Sequence, residues 1–184
     1  MCSPTFWRLV AVSLSAFGLA FVAMLSPAVK RALFKAPILV QKLFVPFAMV
    51  PLWALPVAPQ PRWTFIPLGI AVPAGLVCLL AALVIWISAF RAIGFIPGVR
   101  PARGLVCGGV YGVVRHPIYV GNTLSVLGMA LMFRAAGALV YVLVLVALFL
   151  AFIPIEERDL RAAYGDEYSA YEKKVRYRLI PRVF

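Results

Sequence analysis

Long apolar runs, separated by short basic or proline-rich connections, decide what this chain can become. About five are present, near Thr5–Leu25, Ile38–Val57, Ile66–Phe90, Ile118–Phe133 and Ala138–Ile155. A helix of roughly twenty apolar residues crosses the ~30 Å hydrocarbon layer of a bilayer. In lipid every backbone N–H and C=O must be satisfied within the protein, so helices are the natural spanning form. The chain is 64% hydrophobic, well beyond a soluble domain, and its mean hydropathy is +1.00. The expected fold is therefore all-α, a polytopic membrane bundle of about five transmembrane helices with a cytosolic amphipathic C-terminal helix.

The runs differ in character. The first follows Arg8 and could be read as a signal peptide. It is long for one, and Met24-Leu25-Ser26-Pro27 makes a poor cleavage site, so a retained helix is expected. The second is interrupted by Pro46, Pro51 and Pro56, which predicts a kinked or partly re-entrant segment. Trp53 and Trp63 suit an interface. The third opens with Pro67 and Pro73. The fourth and fifth, joined through Arg134 and Gly137, read as a helical hairpin. Gly121 and Gly128 in the fourth would let a neighbouring helix approach closely.

Charge adds direction. The formal net charge is +12, and all six acidic residues follow Ile155. The basic residues fall between apolar runs, which argues for lipid headgroups and against nucleic acid as the partner. With five crossings, Lys30, Arg31, Lys35, Arg91, Arg100, Arg103, Arg115 and the tail share one side. Arg8, Arg62 and Arg134 share the other. The positive-inside tendency places the first group in the cytoplasm and the N-terminus outside. Cys2, Cys78 and Cys107 form neither a metal-binding pattern nor a disulfide framework, and with one histidine no metal site is expected. Cys107 reads as a packing residue, although it lies in the loop that matters most.

That loop, Arg103 to Tyr119, reads RGLVCGGVYGVVRHPIY. Its glycines permit sharp turns or a close ligand. Pro117 suits the first turn of a helix, whose free N–H groups favour a bound anion. Arg115 either adds charge to that site or anchors the loop to headgroups. His116, the chain's single histidine, could be a plain helix-start residue, but Arg115 and Tyr119 beside it favour a functional role. Far along the chain, Glu156 and Glu157 leave the fifth run. A carboxylate at that depth needs a partner. For Glu157 a solvated acid opening a helix is the preferred reading. In the tail, Leu160, Ala163 and Tyr164 share a helical face, as do Tyr164, Tyr168 and Tyr171. Packing on a membrane surface competes with a site role for these tyrosines. Lys173, Lys174, Arg176, Arg178 and Arg182 are expected to meet headgroups or phosphate, with no specific role for each.

Taken together, Gly109-Val110-Tyr111, Arg115-His116-Pro117-Ile118-Tyr119, Glu156-Glu157 and the Tyr-rich stretch Tyr164–Val175 resemble a known pattern. It is that of the membrane methyltransferases of the isoprenylcysteine carboxyl methyltransferase and phospholipid N-methyltransferase group, over roughly Ala92 to Arg182. The chain's length makes one domain, 1–184, the simplest reading, with variable N-terminal helices over 1–63. A core over 64–184 would hold a cofactor-binding loop, the hairpin and the tail. The resemblance implies S-adenosylmethionine as methyl donor, contacted by Arg103, Gly104, Leu105, Val106, Tyr111, His116, Pro117, Ile118, Tyr119 and Glu156. Arg115, His116 and Glu156 would be catalytic. The carboxyl methyltransferases hold their substrate with an arginine where this chain has Phe152, so the acceptor's identity stays open. Methyl transfer to a lipophilic or lipidated acceptor is expected, with a phospholipid amine as the alternative. A non-enzymatic scaffold or transporter subunit is the other alternative, although the runs carry almost no ionisable residue besides Lys42.

Overall fold

A computed structural model of the chain describes residues 1–26, 50–93 and 104–181, and the isolated positions 28, 32 and 35. The elements described from end to end are four α-helices and a short 3-10 turn. The helices are α1 (Pro4–Leu25), α2 (Leu68–Ile93), α3 (Pro117–Met132) and α4 (Ala136–Lys174), with the 3-10 turn at Gly109–Gly112. Local chemistry explains the boundaries. Ser3 precedes Pro4 and its Oγ accepts the Phe6 N–H at 3.2 Å, a serine cap before a first-turn proline. The Pro67 carbonyl accepts from Ile70 (3.0 Å) and Ala71 (2.9 Å), so α2 begins just after that proline and carries Pro73 within it. Pro117 opens α3 with His116 as its cap residue. Of the second apolar run, residues 38–49 lie outside the described residues. Residues 50–54 are helical, and Leu52 and Leu55 are fully buried.

α2 and α3 run antiparallel. Gly75 meets Gly128 and Met132 near one end, and Trp86 meets Gly121 and Asn122 near the other. The approach is close enough to require glycine. A Cβ on Gly75 would lie 2.6 Å from the Gly128 carbonyl oxygen, and one on Gly128 would lie 2.7 Å from that of Gly75. α3 and α4 form the expected antiparallel hairpin through Phe133, Arg134 and Ala135. α1 lies parallel to α4. Phe6 touches Gly137, the Tyr141 hydroxyl donates to Ser13 Oγ at 2.8 Å, and Phe17 packs edge-on against Phe149 and Phe152. The buried core gathers there, with Leu52, Leu55, Val126 and Leu145.

α2 and α4 are long and apolar enough to cross a membrane. Their outer faces keep Val77, Leu80, Val84, Val140 and Leu143 exposed, a belt that suits lipid rather than water. At the end where α3 turns into α4, two connections are stitched together. Trp63 donates its N–H to the Arg134 carbonyl (2.9 Å), and Ala136 donates to that of Pro61 (3.0 Å). Arg62 Nη1 donates to the Pro56 and Phe133 carbonyls at 2.9 and 2.8 Å, the second of which ends α3. Gln60 Oε1 accepts the Ala138 N–H at 2.8 Å, so a remote side chain caps α4. Arg62 and Arg134 thus occupy one end of the bundle.

One boundary differs from expectation. The fifth run does not stop near Ile155 to restart as a separate tail helix. α4 continues through Pro154 and is broken only at Gly165, which adopts φ 52° and ψ −122°. Glu156 and Glu157 therefore lie within a helix, not at its start.

The α2–α3 contact carries a direct test. Gly128→Leu should overpack that seam and lower unfolding stability by about 1–3 kcal/mol, read as a drop in the thermal midpoint in detergent. The same substitution at Gly18, which has open space around it, should be near neutral.

Candidate active site

The other end of the bundle brings distant stretches together. The loop from Gly104 reaches the N-terminus of α3, the middle of α4 passes beside it, and the extended tail after Lys174 returns across both. Gly104 (φ 116°) and Gly109 (φ 59°) hold backbone conformations that side chains rarely adopt. The tail pairs with the loop along its backbone. Arg115 N–H donates to the Tyr177 carbonyl (2.9 Å) and His116 N–H to that of Arg178 (3.0 Å). The Tyr171 hydroxyl donates to the Tyr111 carbonyl at 2.7 Å.

Successive residues on a helix project roughly 100° apart, so the two glutamates serve different surroundings. Glu156 keeps 33% of its side chain exposed. Its Oε2 accepts the Tyr119 hydroxyl at 2.9 Å and lies 3.4 Å from His116 Nδ1. Glu157 is 0% exposed. Its Oε1 accepts Arg115 Nε at 2.9 Å and Arg178 Nε at 3.1 Å, and lies 3.4 Å from His116 Nε2. Its Oε2 accepts Arg178 Nη2 at 2.9 Å, with Arg161 Nη2 3.6 Å away. The reading of Glu157 as a solvated acid opening a helix is therefore corrected. α4 offers no free end there, and a carboxylate so deeply buried is tolerable because guanidinium groups satisfy it.

His116 lies between the two carboxylates, its ring stacked on Tyr119 (centroids 5.6 Å apart, 9° between planes). Tyr119 in turn stacks on Phe149 (4.4 Å, 4°). Burial by itself would lower the His116 pKa. The hydrogen bonds and charges of Glu156 and Glu157 outweigh it and raise the value above the ordinary one. Arg115 is turned inward. Its Nη1 donates to the Val175 carbonyl at 2.9 Å and its side chain is only 8% exposed, which removes the headgroup-anchor reading. Arg178, expected to have no specific role, is one of the two guanidiniums that hold Glu157 closely.

The remaining candidates surround this cluster. Gly104 is exposed, Leu105, Val106, Tyr111, Ile118 and Tyr119 are half-buried, and Pro117 is buried. Burial, and next the charge of Glu156, hold the Tyr111 phenol well above its usual range, so it stays neutral. Arg103 lies outside the described residues. Tyr168 and Tyr171 do not form an exposed stripe. Both are buried against Leu105, Cys107, Leu160 and Tyr164. The Tyr168 hydroxyl has no hydrogen-bond partner among the described residues. Partial burial and then Glu167 push the Cys107 thiol up, which disfavours a nucleophilic thiolate.

The histidine gives the cluster a pH signature. A folded-state pKa raised above about 6.5 means that the stabilisation is full below that pH. It is lost as pH climbs through the raised value. The thermal midpoint of the wild type should fall across that window, and His116→Gln should flatten the fall.

Comparison with known proteins places these residues in a family. The family described as phospholipid methyltransferase matches residues 70–167, a little more than half of the chain. Protein-S-isoprenylcysteine O-methyltransferase of Schizosaccharomyces pombe is 40% identical over 72 residues, covering 39% of this chain and 30% of that protein. Methanethiol S-methyltransferase 2 of Bradyrhizobium diazoefficiens is 37% identical over 75 residues, covering 41% of this chain and 28% of that protein. Methanethiol S-methyltransferase 1 of the same organism is 39% identical over 66 residues, covering 36% and 22%. The matched stretch thus spans less than a third of each relative's own length. On the family match, which covers α3 and most of α2 and α4 with the loop between them, the chain belongs to the phospholipid methyltransferase family.

Proposed function

We propose that this protein transfers the methyl group of S-adenosylmethionine to a lipophilic acceptor at the membrane, on a scaffold like that of the isoprenylcysteine carboxyl methyltransferases but with the acceptor group left open. The observation that carries the reading is the meeting of His116, Tyr119 and a partly exposed Glu156 from two distant segments, in a chain of this family. The donor set fits the cofactor. Glu156 has one oxygen engaged by Tyr119 and His116, and its partial exposure suits a neighbouring cation such as an ammonium or sulfonium. At the start of α3 Pro117 has no N–H, and those of His116 and Tyr119 are engaged, which leaves the Ile118 N–H to offer a carboxylate. Tyr111 and the loop at Gly104, Leu105 and Val106 provide apolar and aromatic surface for a nucleoside. The proposed contacts are these residues with Arg103, His116, Pro117, Ile118, Tyr119 and Glu156. Arg115, His116 and Glu156 are the proposed catalytic group.

S-adenosylmethionine supplies a methyl that is already activated. The chain's own work is then to align the acceptor and exclude water. An open apolar groove of about 330 Å³, lined by Trp53, Leu79, Trp86, Ser125 and Met129, suits a lipophilic acceptor that enters sideways between helices. Trp53 Nε1 donates to Ser125 Oγ (3.2 Å) and Trp86 Nε1 to Asn122 Oδ1 (3.0 Å), so the indoles are tethered and show their apolar faces. Phe152 is buried among apolar side chains, which favours a thiol or an amine over a carboxylate as the group methylated. A phospholipid amine is accordingly the second reading.

The membrane arrangement belongs to the same proposal. α1 and α2 run in the same direction, and Leu25 and Pro59 lie at opposite ends of the bundle, which supports a further crossing between them and about five in all. Arg91, Arg115, Lys173, Lys174, Arg176 and Arg178 lie at the His116 end. Arg8, Arg62 and Arg134 lie at the other. That asymmetry supports a cytosolic site, with the helix after Gly165 as an amphipathic cytosolic tail and the chain as one domain.

A labelled-methyl assay on membranes, with extracted lipids as acceptors, tests the function. Label should move into the lipid fraction with the wild type and not with His116→Ala. Equal label with both proteins would remove the reading. Glu156→Gln should weaken S-adenosylhomocysteine binding by about ten- to a hundredfold, the scale of one hydrogen bond to a charged group, measured by isothermal titration. An amine acceptor should lose rate as pH falls below its pKa, whereas a carboxylate should not near neutrality.

A further inference from the structure

We propose that Glu157 is a positioning residue, whose one carboxylate fixes both the His116 ring and the tail strand 175–178 and so sets the geometry of the Glu156–Tyr119–His116 site. The inference rests on the methyl-transfer reading for its binding readout and on geometry alone for the rest. Glu156 and Glu157 approach His116 from two sides. Nδ1 faces Glu156 Oε2 and Nε2 faces Glu157 Oε1, each at 3.4 Å. An imidazole held at both nitrogens cannot turn without losing both contacts. The groups facing this ring are Glu156 and Glu157 from α4 and the stacked Tyr119 from α3. Arg115 from the loop and Arg178 from the tail share the Glu157 carboxylate.

The same carboxylate oxygen that faces His116 also takes Arg115 and Arg178. Arg178 is 21 residues from Glu157 in the chain. Its attachment draws the tail alongside residues 115 and 116, where their N–H groups find the Tyr177 and Arg178 carbonyls. One buried anion therefore joins the loop, the long helix and the tail. Glu156, the exposed neighbour, is left as the carboxylate able to face a bound cation. Tyr119 and His116 engage only its Oε2.

The test uses full-length protein in lipid nanodiscs, with Glu157→Gln and Arg178→Gln. His116 is the single histidine, so its ring resonances report one titration without ambiguity. Glu157→Gln should move the His116 midpoint down towards the ordinary value and weaken S-adenosylhomocysteine binding by roughly tenfold or more. Arg178→Gln leaves the Glu157–His116 contact in place. It should keep the midpoint raised while amide exchange at Arg115 and His116 accelerates by about tenfold or more. Loss of the Glu157 charge would by itself lower the midpoint, so the weakened binding in Glu157→Gln and the faster exchange in Arg178→Gln are the readouts that mark positioning. An unchanged midpoint with unchanged binding in Glu157→Gln would overturn the proposal, as would unchanged exchange in Arg178→Gln. If Glu157→Gln does not fold, Arg178→Gln decides alone. If the wild type fails to bind S-adenosylhomocysteine while midpoint and exchange respond as stated, the methyl-transfer reading falls and the positioning role stands.

Discussion

A carboxylate with no exposure, met by two guanidiniums and an imidazole, is the interaction on which this end of the molecule depends. Removing an ion from water is costly, and only close, well-directed partners offset the loss. Arg115 and Arg178 meet that condition for Glu157, and in doing so they tie three separated stretches into one body. The loop is also held against α4 by the Tyr171 hydroxyl on the Tyr111 carbonyl and by Leu105 and Cys107 packed on Tyr168 and Tyr171. The buried ion cluster and the apolar cluster of Tyr168, Tyr171 and Val175 together organise this end.

The opposite end is organised by backbone satisfaction. Gln60 and Arg62 reach across to cap the start of α4 and the end of α3, and a short antiparallel bridge joins their connections. Between the ends, the glycine contact of Gly75 and Gly128 brings α2 and α3 close, while the aromatic ladder His116–Tyr119–Phe149 carries packing from the site into the core. Among the described residues the bundle is thus tied at both ends and along the α2–α3 seam, and the chemistry-bearing groups lie where α3 begins and α4 passes.

Much of this was legible in the residues. The runs at 118–133 and 138–155 gave the hairpin because apolar length is set by the membrane, and the compact Arg115-His116-Pro117 cluster marked the stretch that the structure brings beside Glu156 and Glu157. The rest depended on facts that a linear pattern does not carry. Glu156 and Glu157 are chemically identical neighbours. Helix phase and the continuation of α4 through Pro154 decide that one faces the cluster of arginines and the other the opening. Tyr168 and Tyr171 read as a surface stripe because the Gly165 break, which folds them onto Leu105 and Cys107, has no counterpart in periodicity. Arg178 looked like one basic residue among several. The signal that could have singled it out was the need of a buried acid for more than one cation.

The central claim is that the loop and the passing helix enclose a single nucleoside-bearing methyl donor beside Glu156. A structure of the full chain determined with S-adenosylhomocysteine tests it most directly. The account predicts the ligand between Tyr111, His116, Tyr119 and Glu156, with its ammonium group next to the Glu156 carboxylate. Ligand density elsewhere in the molecule, or none at a concentration that saturates binding, would contradict it.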